Sequence, residues 1–299
     1  MAMMLKPNVY PNEFPEAWAS GWGQDEFGLW MAFSYKSVRQ VFRWIEPGAF
    51  LMGSPESEEG RYSDEIQHQV TLSQGFWLAD STVTQALWQA VMGENPSRFK
   101  GVDRPVENLS WDMAQDFVRQ LNMIKPELRL RLPSEAQWEY ACRAGRDAPF
   151  NFAEPLSIAL INYSGVWDSS EWGEGALQET AAVKSYPPNA WGLYEMHGNV
   201  WEWCQDWYGE YPPGLAKDPP GPASGSLRVL RGGSWFYGGR YCRSAVRGDL
   251  SPGGAVGNIG FRLARGHQHS QSGADRQPDG THAAAARGAQ PGDGLRDAS

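Results

Sequence analysis

"RGGSWFYGGRYCRSAVRGDLSPGGAVGNIGFRLAR", residues 231–265, has two ends that read as ordered protein and a middle that does not. Arg231-Gly232-Gly233-Ser234-Trp235 opens it, and Ile259-Gly260-Phe261-Arg262-Leu263 closes it with the composition of a strand. Between them neither the helical nor the strand period is sustained. The segment is also depleted in particular residue types. Lys, Glu, Gln, Met and Trp make up 66 of the 299 residues, so about five are expected between 236 and 258, yet none occurs there.

Outward from this segment, three helices can be placed. In "LPSEAQWEYACRAG" (132–145) Ser134 and Gln137 have the spacing of a capping box and Gly145 suits the C-terminal cap. A second helix follows Ser110 through Met113, Phe117, Val118 and Leu121 and stops before Pro126; a third runs from Thr84 through Leu87, Trp88 and Val91 to Gly93. Strands are expected at 41–45, 68–72, 128–132, 227–231 and 259–263. The stretch 143–226 is rich in Gly, Pro, Trp and Asn, a length of loop that is functional or held by special contacts. The pattern is α+β with much irregular structure, anchored by tryptophans that all lie at or before Trp235.

With 41% hydrophobic and 13% aromatic residues the chain can bury a sizeable core. A formal charge of -9, a pI near 5.1 and no basic run argue against nucleic acid as a partner, because phosphate binding needs clustered Lys and Arg. Nowhere do eighteen apolar residues run together, so membrane insertion is not expected. Three widely spaced cysteines, Cys142, Cys204 and Cys242, and no signal-like apolar stretch in "MAMMLKPNVYPNEF" point to a reduced, cytoplasmic setting. Residues 266–299 contain no aromatic and one large aliphatic, Leu295, and are expected to form a disordered tail. Residues 1–40 are read as an N-terminal extension packed on a domain spanning 41–265.

The motifs "GAFLMGSP" (48–55), "ENPSRF" (94–99), "RPVENLSWDMAQDF" (104–117), "RLPSEAQWEYACRAG" (131–145), "PPNAWGLYEMHGNVWEWCQDWY" (187–208), "RGGSW" and "GFRLAR" resemble, in order, the formylglycine-generating-enzyme (sulfatase-modifying factor) family. The resemblance implies a variant of the C-type lectin fold, with a small mixed sheet, helices and extensive loops. In catalytic members a pair of cysteines after the "GGS" motif binds copper and activates oxygen to oxidise a substrate cysteine, a task suited to paired soft thiolates. This chain departs from that pattern, since only Cys242 follows Trp235. The expectation is therefore a non-enzymatic protein with no required cofactor. A copper oxidase acting on a protein cysteine and a fixed protein-interaction module are the alternatives. Another branch, the iron-dependent sulfoxide synthases, needs a histidine cluster, and outside the tail only His68 and His197 are present.

"EMHGNVWEW" resembles a calcium loop of the family. Carried over residue by residue, the carbonyls of Glu195, Gly198 and Val200 and the carboxylate of Glu202 would ligate the ion, as a hard cation prefers. The same residues also read as a tight Gly-Asn turn between packed tryptophans without metal.

The missing residue types have a genetic reading. If AAC or AAT codons are randomised at their adenines, every product ends in C or T, and no such codon encodes Lys, Glu, Gln, Met or Trp. The frame resembles that of variable proteins of diversity-generating retroelements, whose changeable region lies between an "RGGSW"-like start and a "GFRLA"-like end. The resemblance implies diversified positions at Phe236, Tyr237, Gly238, Tyr241, Val246, Gly248, Asp249, Leu250, Gly254, Val256, Gly257 and Asn258. They would meet a variable protein or surface ligand, with Phe236, Tyr237 and Tyr241 as exposed aromatic anchors and the glycines at positions of low contact. Arg231, Arg243, Arg247 and Arg262 are expected to fork to carbonyls and carboxylates and fix the loops, and Trp235 to be core.

Overall fold

Side-chain caps set the helices of this protein, seen in a computed structural model that describes residues 9–168, 171–211 and 214–266. Helix α1 (Gln85–Met92) starts at Thr84, whose hydroxyl accepts from Leu87 N, and ends at Gly93. Helix α2 (Trp111–Ile124) starts in the same way at Ser110, and α3 (Glu135–Arg143) carries the full Ser134/Gln137 capping box. The left-handed residue that closes α3 is Ala144, with φ 46°, and Gly145 continues the turn with φ 85°.

Three small sheets surround these helices. Strands β1 (Gly21–Asp25), β2 (Gly28–Tyr35), β3 (Val38–Ile45), β6 (Phe76–Ala79) and β12 (Ala264–Arg265) form an antiparallel five-stranded sheet in that order. Strands β4 (Gly48–Met52), β5 (His68–Leu72) and β8 (Ala216–Lys217) form a second. The third has the order β10 (Arg247–Leu250), β9 (Arg228–Arg231), β7 (Trp201–Trp207), β11 (Ile259–Gly260). The quoted segment thus leaves β9, returns as its edge neighbour β10, and reaches β11 on the far side of β7, where pairing is parallel.

The structure corrects several sequence expectations. The boundary placed at residue 40 falls inside β3, and residues 21–40 are sheet rather than a packed extension: Met31, Phe33 and Phe42 are buried, and β2 pairs with β3 along its length. Residues 128–132 do not form a strand; Pro126–Leu128 is a short 3-10 turn, Arg129 is left-handed, and only Arg131 bridges to Ala264. The strand expected at 259–263 is regular only at Ile259–Gly260; Phe261 packs on Trp88 and Phe117, and strand pairing resumes past the expected range at Ala264–Arg265. The expected tail lies, beyond Gly266, outside the described residues.

Trp88 stacks on Phe117 with centroids 5.3 Å apart, and Phe117 meets Phe261 at 5.4 Å, so the closing end of the segment is built into the core. A second apolar cluster gathers Trp138, Cys142, Met196, Cys204 and Val229. The long stretch after α3 is held by polar contacts in place of regular pairing. Asn189 Nδ2 donates to Ala141 O at 2.8 Å, Asn162 Nδ2 to Glu179 O at 2.9 Å, and Ala181 N to Asn199 Oδ1 at 2.8 Å.

Candidate functional site

Four arginines pin the segment to the domain. Arg243 Nη1 and Nη2 reach the two oxygens of Glu65 at 2.9 and 2.7 Å, and Arg243 also meets Glu58 at 2.5 Å and Gly60 O at 2.6 Å. Arg247 forks onto Glu135 at 2.7 and 3.0 Å, and Arg262 onto Glu202 with both contacts at 2.6 Å. Arg231 binds Glu139 and the carbonyl of Val246. Burial works against the Arg247 charge, but Glu135 beside it holds its pKa above the ordinary arginine value. All four are buried, as their expected structural role requires. A bidentate pair in this setting fixes geometry as well as charge.

Between these anchors the segment turns aromatic rings outward. Tyr62, Tyr241, Tyr237, Phe236 and Trp172 follow one another with centroid spacings of 6.0, 5.1, 5.5 and 5.9 Å. Trp172 then stacks on Trp235 at 5.7 Å, and Trp235 meets Phe99 edge-on at 5.2 Å. Trp235, buried as expected, also donates from Nε1 to Gly257 O at 3.4 Å, so both halves of the segment converge on it. Arg240 lies over the Tyr62 ring and pairs with Asp168, and Arg98 lies over Phe99.

The twelve positions expected to vary divide by environment. Phe236 and Val256 are each 44% exposed, and Tyr237, Tyr241, Asp249, Leu250, Gly254 and Gly257 are half-buried. Asp249 and Leu250 lie on the edge strand β10, with Gly254 beside Leu250. Gly238, Val246, Gly248 and Asn258 are buried, which corrects the expectation of an open loop throughout. A Cβ at Gly238 would stand 2.5 Å from the carbonyl oxygen of Trp167, and one at Gly248 3.2 Å from Leu230, so these glycines mark close approach rather than low contact. Tyr237 and Tyr241 are anchored in part by the core: Tyr237 packs on Trp201, and its phenol is pushed up to about 12 by burial and by Tyr241.

Sequence reading missed Tyr62, Phe99, Trp172 and Arg240 as parts of this surface. Trp172 was the legible signal, a large ring in a Gly-rich stretch with no strand or helix to pack it.

The metal expectations meet specific obstacles. Both oxygens of Glu202 face the Arg262 guanidinium at 2.6 Å, and Oε2 also accepts from Trp138 Nε1 at 2.8 Å. The one anionic arm of the expected calcium loop therefore already meets a cation. Glu195, Gly198 and Val200 are buried, with Gly198 N donating to Gly232 O and Glu195 accepting from Tyr186 N. The cysteines are free and buried; burial pushes the Cys242 and Cys142 thiols up to about 12, away from the thiolate that Cu(I) selects. With one thiol after the "GGS" motif, the residues do not fit a paired-thiolate copper site. No group of three or more His, Cys, Asp and Glu that could hold a metal occurs among the described residues.

Comparison with known proteins gives concordant results. The family described as "Sulfatase-modifying factor enzyme 1-like domain" matches residues 32–267. Formylglycine-generating enzyme of Mus musculus is 34% identical over 221 residues, which cover 70% of this chain and 57% of the mouse protein. The Streptomyces coelicolor enzyme is 36% identical over 204 residues, covering 63% of this chain and 60% of that protein. The chain therefore spans less than two thirds of the length of these relatives. Among solved structures, Treponema denticola variable protein 1 superposes with a TM-score of 0.67 at 32% identity, covering 79% of this chain and 98% of its own. PvdO from Pseudomonas aeruginosa gives a TM-score of 0.67 at 28% identity, covering 79% and 97%. The α+β architecture is thus the C-type lectin-like fold of the formylglycine-generating-enzyme type. No helix among the described residues is long and apolar enough to cross a membrane.

Proposed function

We propose for this chain, which belongs to the sulfatase-modifying factor enzyme 1-like family, a role in binding and not in catalysis: it is the variable protein of a diversity-generating retroelement. It displays a changeable surface on a C-type lectin-like scaffold, and its partner is a protein or another surface ligand. The observation that carries this reading is the division of labour within one segment. Arg231, Arg243, Arg247 and Arg262 point inward to buried carboxylates, while Phe236, Tyr237, Tyr241 and Val256 reach the surface between them. Loops fixed in this way tolerate change at their outward positions and carry recognition for the same reason.

Two further facts support it. The likeness to Treponema denticola variable protein 1 extends over 98% of that chain. Only one cysteine, Cys242, follows the "GGS" motif here, where the family's enzymes use a pair, and it is buried. The outward rings offer large, rigid contact area, as binding loops elsewhere do.

The test is to sequence the DNA flanking the gene. A near-copy of the codons for residues 231–265 that differs only where it carries adenines, next to a reverse-transcriptase gene, is the expected result. A flank without such a copy would leave a fixed interaction module of the same fold. A tight Cu(I) site on the purified protein, destroyed by Cys242→Ala, would instead favour an oxidase.

A further inference from the structure

Strand β1 closes the five-stranded sheet on one side and pairs only with β2. The turns decide which of its backbone groups stay free. Lys36 and Ser37, with φ 44° and 65°, make a two-residue hairpin turn between Tyr35 and Val38, and the residues flanking such a turn are hydrogen-bonded to each other. Alternation along β2 then gives Tyr35, Phe33 and Met31 to β3 and leaves Trp30 and Ala32 to bond Gly23 and Gly21 of β1. The two-residue connection from Asp25 to Gly28 sets the same phase. The N–H and C=O groups of Trp22 and Gln24 therefore point away from the sheet, and they have no backbone partner among the described residues. Ser20 ends this free edge, because its N–H already donates to Ala32 O at 2.8 Å.

The edge carries aromatic rings on both faces. Trp22 is 55% exposed, although Phe14 meets it edge-on at 5.7 Å. On the opposite face Trp30 lies across Gly21 and Gly23, where a Cβ at Gly23 would stand 3.0 Å from its ring. The glycines thus let Trp30 reach the rim of the sheet. Natural edges are commonly guarded by a lysine, a proline or an inward-pointing charge. Here the outward positions are Trp22 and Gln24, and Asp25 is matched by Arg43 at 2.6 Å.

We infer that β1 is an interface between two copies of this chain, paired antiparallel about Gly23 so that their sheets become continuous. The sequence is complementary to itself in this register. Trp22 of each copy exchanges both backbone hydrogen bonds with Gln24 of the other, and the two Gly23 residues oppose each other at the axis. The tryptophans at 22 become diagonal neighbours on one face, within reach of each other, and the Trp30 rings flank the axis on the other. Asp25 faces Gly21 and Glu26 faces Ser20, so no acid meets an acid. Centring on Trp22 would call on the N–H of Ser20, which is already bonded, and centring on Asp25 would set two carboxylates opposite each other. The contact is isologous and closed, as in most homodimers. Two copies joined here carry two of the surfaces proposed above, which strengthens attachment to a repeated ligand.

Sedimentation equilibrium of the full chain tests this. The mass is expected to rise from the 33.3 kDa of one chain toward twice that value as concentration goes from about 1 to 100 µM. Gln24→Pro removes an outward N–H and leaves the bonds to β2 in place, as an edge strand tolerates, and should weaken pairing about tenfold or more. Trp22→Lys, at an exposed position, should do the same by bringing two ammonium groups together. In the unaltered protein, deuterium exchange at the Trp22 and Gln24 amides should slow as concentration rises, while Gly23, bonded within its own chain, should change little. A single-chain mass at about 100 µM, the result expected if a strand of a different protein covers this edge, would overturn the inference. So would self-association that leaves exchange at Trp22 and Gln24 unchanged. No position expected to vary lies in this sheet, so failure here leaves the proposed function standing, and a gene flank without a template copy leaves this interface standing.

Discussion

Arg243 and Glu65, 178 residues apart in sequence, face each other through two hydrogen bonds with both side chains fully buried. The pair ties the middle of the quoted segment to the turn that precedes β5, and Glu58 closes on the same guanidinium. Replacing Arg243 with Met would strand two carboxylates in the interior. We expect a loss of about 3–5 kcal/mol, the usual cost of breaking a buried pair from one side, measured by urea unfolding. A loss below about 1 kcal/mol would mean the pair behaves as a surface contact.

The surface positions and the buried ones should respond differently to substitution. Phe236→Ala and Val256→Ser are expected to alter stability by no more than about 0.5 kcal/mol. Val246→Ala removes core contacts and should cost about 2 kcal/mol. Gly238→Ala pushes a methyl against the Trp167 carbonyl and should cost more than about 1 kcal/mol. A display library sorted for folding reads all four at once; free substitution at 238 and 246 would contradict the packing described above.

Stability should fall between pH 4 and 8 because of Asp206. Its folded value, about 8, stands above the ordinary aspartate value because burial and Glu135 disfavour the anion. In that window the unfolded chain has released the proton that the folded chain keeps. The contribution is complete below about pH 4 and is lost as pH rises to 8, at up to about 1.4 kcal/mol per pH unit. His197 acts in the opposite sense lower down. Burial holds it to about 4, with Nδ1 on the carbonyl of Cys242 and Nε2 accepting from Asn151 N, so protonation as pH falls from 6.5 toward 4 favours the unfolded chain. Asp206→Asn should therefore gain on the parent steadily from pH 5 to 8 in urea unfolding; a pH-independent difference would sink this assignment.

Calcium should leave the melting temperature where it is. A resident ion at a hundred times its Kd would add about 2.7 kcal/mol, whereas Glu202 already spends both oxygens on Arg262 and one on Trp138. Melting curves with calcium and with excess chelator are expected to coincide. A rise of several degrees with calcium would show that Arg262 yields its partner to the ion.

The helices were legible because their signals are local: Thr84, Ser110 and Ser134 each cap through a hydroxyl three residues from its target. Strand β5 was legible from the alternation of His68 to Leu72. Strands β1 and β2 were not, since Gly21, Gly23 and Gly28 dilute their pattern and their pairing is what makes them strands. The arginine anchors could be assigned a structural role from their polar, Gly-rich surroundings, but not their partners, which lie far away in sequence. For the same reason Tyr62, Phe99 and Trp172 escaped notice, being placed beside Phe236 and Trp235 only by the fold. Burial at Gly238 and Val246 was hidden too, because a segment without a period does not reveal which residues face inward.

The run from Gly239 to Val246 contains one short 3-10 turn and no strand, yet its backbone is tied by four hydrogen bonds to three other places: Gly239 N to Val166 O and Arg240 N to Trp167 O, Ser244 N to Pro149 O, and the Val246 carbonyl to Arg231. Irregular shape and slow opening are therefore compatible here. Amide protons of this run should exchange with deuterium about as slowly as those of β7 and β9, through the same cooperative unfolding, and not at the rate of a surface loop. A binding surface built on such a base would change its side chains from one variant to the next while its backbone clock stays the same.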